Sequence, residues 1–364
     1  MKILHVQVLP KMSGAQKVSY EILKKLPESY EKWILFSTSE AKGDREACIK
    51  AFEEIGVKVV FMESLRREIG PWDVKAFKEL YKFFKKEKFD IVHTNSTKPG
   101  IIGRIAAKLS GVPLVVHTVH GLAFHKLIKF PLWQFYYLCE FFSSFFCHKI
   151  VVVNKFYVKY LKFFKKKTIT IYNGLEFGQI KDSTPDYQKK RVLFVGRLDT
   201  PKNPIMLLQA AKIVHSIDPE VKFTLVGDGD LMKDCKNFVK ENNQEGYVEL
   251  AGWQTDVYKY YNSHSLFACP SVYEAFGLMF CEASYSKLPI VTTNVEGIPE
   301  VVKHGETGLL SDSGDVKTFA ENILKLTSNP ELSKELGENG FKWVMSQFDS
   351  SKMVNDYIKL YEGK

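Results

Sequence analysis

Short runs rich in Val, Ile and Leu recur along the chain with helical patterns between them, and few other features limit a fold so tightly. In the first half they are "ILHVQVL" (3–9), "KWILFST" (32–38), "VKVVFM" (57–62), "DIVHTN" (90–95), "PLVVHTV" (113–119), "KIVVVN" (149–154) and "TITIYN" (168–173). Helical stretches such as Ala15–Leu26, Val74–Lys86 and Ile101–Leu109 separate them. Runs that are continuous, not alternating, belong to strands buried on both faces, as in a parallel sheet covered by helices on each side. A polar tract, "EFGQIKDSTPDYQKK" (176–190), breaks the rhythm. It restarts with "RVLFVG" (191–196), "KFTLVG" (222–227), "YVELAG" (247–252), "SLFACP" (265–270), "PIVTTN" (289–294) and "GLLSD" (308–312). The pattern predicts an α/β chain of two doubly wound, Rossmann-like parallel-sheet domains facing a central cleft. Their expected limits are 1–175 and 191–350, with 176–190 as linker. The closing segment, 351–364, is helical in pattern and can pack back on either domain, the first being the expectation.

A chain of 364 residues has room for two such domains. Charge separates the halves. Residues 1–180 carry 30 Lys and Arg against 16 acids, net +14, and residues 181–364 carry 21 against 26, net −5. One half therefore suits an anionic partner that the other does not. The longest apolar stretch, "FPLWQFYYLCEFFSSFFC" (130–147), is interrupted by Glu140 and closed by His148 and Lys149, so it is not read as a membrane span. The opening "MKILHVQVLP" is too short in its apolar run for a signal peptide, and a cytoplasmic location is the expectation. The six cysteines show neither a C-x-x-C pair nor zinc spacing and read as reduced, buried thiols. A Cys139–Cys147 disulfide is disfavoured, because a helix would hold the two thiols two turns apart.

Four strand exits in the second half carry residues suited to an anionic ligand. In "FVGRLDTPKNP", Arg197 and Lys202 lie five apart after Gly196, so one diphosphate can meet a guanidinium fork and an ammonium. "LVGDGD" runs a strand into a glycine turn at Gly227, where backbone can approach a flat base. In "CPSVYEAFGLMFCEA" a helix is expected to start near Phe276, aiming free amides at an anion that Gly277 lets come close. "NVEGIPEVV" is another glycine turn leading into a helix. Glu274 and Glu282 flank the third element eight positions apart. Carboxylates repel phosphates, so these two are expected to accept hydrogen bonds from sugar hydroxyls at opposite ends of the ligand. A retaining glycosidase also uses two acids, but both stand beside one anomeric carbon.

With these elements in place the sequence resembles the GT-B glycosyltransferases of the large family-4, group 1 class, which transfer sugars with retention of configuration. "EAFGLMFCE" is similar to the family's E-x7-E element, "VGRLDTPKNP" to its G-R-L…K element and "VGDGD" to its V-G-x-G turn. "EGIPEVVKHGETGLL" resembles its glycine-rich tail, with Glu296 where the family has Gly. "MSGAQKVSYEIL", "HTVHGLAF" and "IYNGLE" resemble first-domain elements, with Ser13 in place of a Gly. The resemblance covers nearly the whole chain in order. It implies that Arg197 and Lys202 bind the donor diphosphate, that Glu274 and the amides of Phe276, Gly277 and Leu278 meet sugar and phosphates, and that Glu282 holds the ribose. Gly14 would bring its loop to the diphosphate, and His120 would contact the transferred sugar. It further implies a hexosyl- or N-acetylhexosaminyltransferase using a nucleotide-sugar donor, UDP-linked by family frequency. No cofactor and no metal are expected.

Asp228–Asp230, "DGD", resembles the metal-binding D-x-D of other transferases, and turn chemistry is the preferred reading. His93, His117 and His125 read as ordinary core or surface histidines, and Asn95 as an acceptor-side candidate. Two basic aromatic segments, "VKAFKELYKFFKKEKF" and "KFYVKYLKFFKKK", join the stripe at 130–147. In the second, Lys155, Lys159, Lys162 and Lys166 share one face at α-helical spacing. Together with the charge of +14 they point to a membrane surface, and the resemblance implies a polyprenyl-diphosphate-linked or glycolipid acceptor at the inner leaflet, which would explain the patch. The rival readings are a sugar-nucleotide epimerase of the same architecture and a basic nucleic-acid-binding protein. The second lacks any reader motif, and no nucleic-acid partner is expected.

Overall fold

The structure is a computed structural model and describes residues 1–38, 45–66, 69–177 and 184–363. The chain divides into two compact units, Met1–Gly174 with Ser350–Lys364, and Leu175–Asp349. In the first unit the strands are β1 Lys2–Val6, β2 Glu31–Ser37, β3 Lys58–Met62, β4 Ile91–Asn95, β5 Leu114–Val119, β6 Lys149–Val152 and β7 Thr168–Thr170. They pair in the order β3-β2-β1-β4-β5-β6-β7, all in parallel. The second unit has β8 Arg191–Val195, β9 Lys222–Val226, β10 Val248–Gly252, β11 Leu266–Cys269, β12 Ile290–Thr293 and β13 Gly308–Ser311. Their order, again parallel throughout, is β10-β9-β8-β11-β12-β13. Each apolar run named above is a strand. Strands such as β4 and β11 are buried at every residue, which is why their sequences do not alternate. Chain order reverses between β1 and β4 and between β8 and β11. The crevice beyond the carboxyl ends at such a reversal is where doubly wound sheets bind ligands.

The helix Ser350–Tyr361 belongs to the first unit, although the second unit lies between them in sequence. Its Met353, Val354, Tyr357 and Leu360 join Val18, Ile22, Phe36 and Phe52 in one core. Polar contacts fix its register. The Tyr361 hydroxyl lies 2.6 Å from His93 Nδ1 and 3.2 Å from His5 Nε2, and that of Tyr357 lies 3.1 Å from Thr118 Oγ1.

Two expectations change in detail. Within the expected linker, Phe177 stacks on Tyr285 with ring centroids 4.7 Å apart, and the Tyr187 hydroxyl donates to the Lys287 carbonyl at 2.8 Å. The ends of the tract are thus packed on the second unit, and residues 178–183 lie outside the described residues. The segment Phe156–Lys167 is not an α-helix but a 3-10 helix interrupted at Leu161 and Phe164. Tyr157, Leu161 and Phe164 are buried while Lys155, Lys159, Lys162 and Lys166 stay exposed, so its two-sidedness survives the tighter winding.

Candidate active site

Of the sequence-predicted donor residues of the second unit, Lys202 and Glu274 are brought together at the β8/β11 reversal. After β8 the backbone turns at Asp199, whose carbonyl accepts from the amides of Lys202 and Asn203 at 3.1 and 3.0 Å. That turn delivers Lys202 to Glu274, which follows β11, and the two form an ion pair. Lys202 Nζ also lies 3.3 Å from Met279 Sδ, in the first turn of the helix Leu278–Tyr285. Burial, the largest influence, disfavours the ammonium, but the nearby Glu274 carboxylate and Cys269 sulfur outweigh it, leaving the Lys202 pKa raised. Arg197 is placed differently. It is 72% exposed, with its guanidinium 3.0 Å from the Asp199 carboxylate.

The E-x7-E element has a physical division of labour. The helix begins at Leu278, two residues later than expected, with Gly277 as its cap at φ +80° and no side chain capping its first amides. The amides of Leu278 and Met279 have no carbonyl of a preceding turn to meet, whereas that of Phe280 donates to the Gly277 carbonyl at 2.9 Å. A Cβ on Gly277 would come within 2.5 Å of the Phe280 ring, so glycine is required there by the chain itself. The Phe276 side chain belongs to the core, its ring edge-on to Phe348 at 5.1 Å, so only its backbone is placed to serve a ligand. Glu282 sits one helical turn further, only 6% exposed, and accepts a hydrogen bond from the buried Tyr261 hydroxyl at 3.0 Å. Glu274 is thus charge-paired at the helix start, and Glu282 is hydrogen-bonded inside.

The V-G-x-G turn has a reason other than the expected approach of a base. A Cβ on Gly227, whose φ is +135°, would fall 1.9 Å from the Gly196 carbonyl oxygen. One on Gly229 would fall 2.5 Å from that of Leu198. These glycines let the β9 exit pack against the β8 exit, with Leu198 N–H donating to the Asp228 carbonyl at 3.0 Å. The Asp228 carboxylate accepts from the Gly229 amide at 2.7 Å, as a turn residue does. Glu296, which stands where the resemblance puts Gly, has φ +43°, a backbone region that glycine enters without strain.

In the first unit, His120 follows β5. Its Nε2 lies 2.9 Å from Asn95 Oδ1, at the end of β4. The Asn95 amide nitrogen donates to the His93 carbonyl, so the amide oxygen faces the ring and the Nε2–H tautomer fits. Burial lowers the His120 pKa to about 4, so the imidazole is neutral at pH 7. Gly14 opens the helix Gly14–Lys25 and is exposed, and a Cβ there would meet nothing within 4 Å. Packing within the chain does not call for glycine at that position. His93 and His117 are fully buried and hydrogen-bonded, as ordinary core histidines are.

Sequence reasoning missed Tyr261 and the Arg104–Glu140 pair. Arg104 is completely buried, and its Nη1 donates to Glu140 Oε1 at 2.9 Å. A lone acid inside an otherwise apolar stretch was the available signal for that pair. Nothing in the sequence distinguishes Tyr261 from its neighbours Tyr258 and Tyr260.

Two parallel doubly wound units, each with one strand-order reversal, are the architecture of the GT-B fold. Residues 12–178 match the family described as Glycosyltransferase Family 4, and residues 178–343 the one described as Glycosyl transferases group 1. The chain is 32% identical to the UDP-Gal:alpha-D-GlcNAc-diphosphoundecaprenol alpha-1,3-galactosyltransferase of Escherichia coli, over 99% of this chain and 96% of that one. It is 26% identical to the N,N'-diacetylbacillosaminyl-diphospho-undecaprenol alpha-1,3-N-acetylgalactosaminyltransferase of Campylobacter jejuni, over 85% and 86% of the two. HepE of Anabaena, solved with UDP and glucose, shares the fold at a TM-score of 0.83 and 19% identity, with all of both chains covered. The chain belongs to the family-4, group 1 glycosyltransferases.

Proposed function

We propose that this chain is a retaining, metal-independent transferase that moves a hexosyl or N-acetylhexosaminyl group from a UDP-sugar to a lipid-diphosphate-linked saccharide. It would act at the inner face of the cell membrane, in cell-surface polysaccharide or glycolipid synthesis. The names of the Escherichia coli and Campylobacter jejuni relatives, both of which describe transfer involving diphosphoundecaprenol-linked sugars, support this acceptor class, and the first supports UDP. The observation that carries the reading is the Lys202–Glu274 pair at the β8/β11 reversal, beside the uncapped start of Leu278–Tyr285.

In this reading the donor's diphosphate meets Lys202, Arg197 and the amides of Gly277 and Leu278, with Gly227 shaping the turn beside them. An ammonium has three donors, so Lys202 can keep Glu274 and still reach a phosphate. As the glycosidic bond breaks, negative charge grows on the leaving diphosphate, and fixed cations and amides favour that state over the ground state. Glu274 accepts from hydroxyls of the sugar and Glu282 from those of the ribose. We assign Gly14 to the diphosphate, and the neutral His120 to hydrogen bonding with the transferred sugar.

The test is transfer from a panel of UDP-sugars to a synthetic GlcNAc-diphospholipid, with and without EDTA, the product's anomeric configuration being read by NMR. Expected are an α-linked product from an α-linked donor, insensitivity to EDTA, and a fall of roughly 100-fold or more in kcat for Lys202→Ala and Glu274→Gln. No turnover of any donor would overturn the reading. So would release of an epimerised sugar nucleotide without acceptor, which would favour an epimerase.

A further inference from the structure

The helix Leu132–Ser144 is apolar on both sides. Its half-buried Trp133 and Tyr137 pack on Phe124 and its Phe141 on Phe164, and the residues it buries fully are Glu140, Ser143 and Ser144. Those it exposes include Leu132, Phe135, Leu138 and Phe142, the last at 60%, and Phe145 at its C-cap is exposed as well. At about 100° per residue these five fall within an arc of about 140°, so they form one apolar face turned to solvent. The orientation is held from beneath. Glu140 is fixed by the buried Arg104, and the Lys167 ammonium donates to the carbonyls of Ser144 and Cys147 at 2.5 and 2.8 Å. Phe163, 71% exposed, extends the face from the 3-10 segment, its ring 5.7 Å from that of Phe145. Phe130, two residues before the helix, is 79% exposed as well.

The helix Trp72–Glu87, the other basic aromatic candidate, is the opposite case. It buries Ala76, Leu80 and Phe84 and exposes its lysines, as a surface helix should. The outward aromatic face is therefore not a general property of the basic half.

Charge identifies what would cover it. Between Asp90 and Glu176 the sequence holds 12 Lys and Arg and a single acid, and that acid is the buried Glu140. Lys126 and Lys129 precede the helix, and Lys155, Lys159, Lys162 and Lys166 stand exposed on the segment that carries Phe163. A second copy meeting this face about a twofold axis would set those lysines against one another. An anionic bilayer accepts both parts, the aromatic side chains in the headgroup boundary and the lysines at the charged surface. With 13 residues, the helix is too short to span a bilayer but suits one lying in its plane.

We propose that the outward face of Leu132–Ser144, with Phe130 and Phe163, inserts into the interface of an anionic membrane. The proposal names the surface behind the membrane location put forward above and rests on that location. The test is cosedimentation of the full chain with phosphatidylcholine vesicles, with and without phosphatidylglycerol. Two variants are compared: Phe135→Ser with Leu138→Ser and Phe142→Ser, and Lys159→Glu with Lys162→Glu. Expected are binding only to the vesicles containing phosphatidylglycerol, loss with salt, and about tenfold or greater loss of partitioning in each variant. Acceptor-independent hydrolysis of the UDP-sugar is expected to be unchanged, showing that the variants are folded. If the triple variant binds as wild type does, this surface is wrong while the membrane location stands. If nothing binds, both are wrong. A dimer that forms without vesicles and is lost in the triple variant would assign the face to self-association and overturn the proposal.

Discussion

Tyr261→Phe tests the link between the core and the proposed ribose site, because it removes one oxygen and leaves the packing. Tyr261 is fully buried, and its hydroxyl donates to Glu282 at 3.0 Å. Burial, reinforced by the adjacent Glu282, pushes the phenol's pKa well up, so it remains a donor at any physiological pH. A hydrogen bond to a charged partner contributes about 1.5–3 kcal/mol, and the fold should lose that amount. Binding should lose less. Without the phenol, Glu282 must be immobilised when the ligand arrives, at a cost of about 0.5–1.5 kcal/mol, or roughly 2–12-fold in Kd. The assay is calorimetric titration with UDP and with 2′,3′-dideoxy-UDP on wild type, Tyr261→Phe and Glu282→Gln. Both variants should weaken UDP and leave the dideoxy analogue nearly unaffected. If Tyr261→Phe weakens both ligands equally, the phenol acts through general packing and the positioning argument fails. If Glu282→Gln does not discriminate between them, the ribose assignment itself is wrong.

Other perturbations separate site from scaffold. Gly14→Ala should change stability by less than about 0.5 kcal/mol yet reduce sugar transfer, whereas Gly227→Ala should destabilise by more than about 2 kcal/mol, both read by urea unfolding. Glu296→Gly should raise the thermal midpoint modestly, by the balance of about 1–2 kcal/mol of left-handed strain relieved and about 0.5–1 kcal/mol of added chain entropy. Burial lowers the pKa of His5 to about 3 and of His120 to about 4, and it places His93 and His117 well below the ordinary value. The unfolded chain binds protons at these four sites before the native one does, so their contribution is full above pH 6.5. It is lost as pH falls toward the native values, at about 1.4 kcal/mol per unit for each histidine. Unfolding followed between pH 7 and 4 should show the first unit failing before the second, and a flat profile would contradict their neutral burial.

Much of this molecule was legible in one dimension. Continuous apolar runs specify buried parallel strands because a strand covered on both faces has no reason to alternate, and the residues proposed for the donor, Arg197, Lys202, Glu274 and Glu282, were picked out by their spacing alone. What the chain alone could not state was which distant groups meet. Lys202 reaches Glu274 across 72 residues because chain order reverses between β8 and β11. Tyr261 was indistinguishable from its neighbours until the fold placed it under Glu282. The clearest case is Leu132–Ser144. Its sequence is apolar on nearly every side, so periodicity does not say which face turns inward. Arg104, buried on a neighbouring helix, decides it: an enclosed guanidinium needs a carboxylate, Glu140 supplies one, and the phenylalanines on the other side are left facing out.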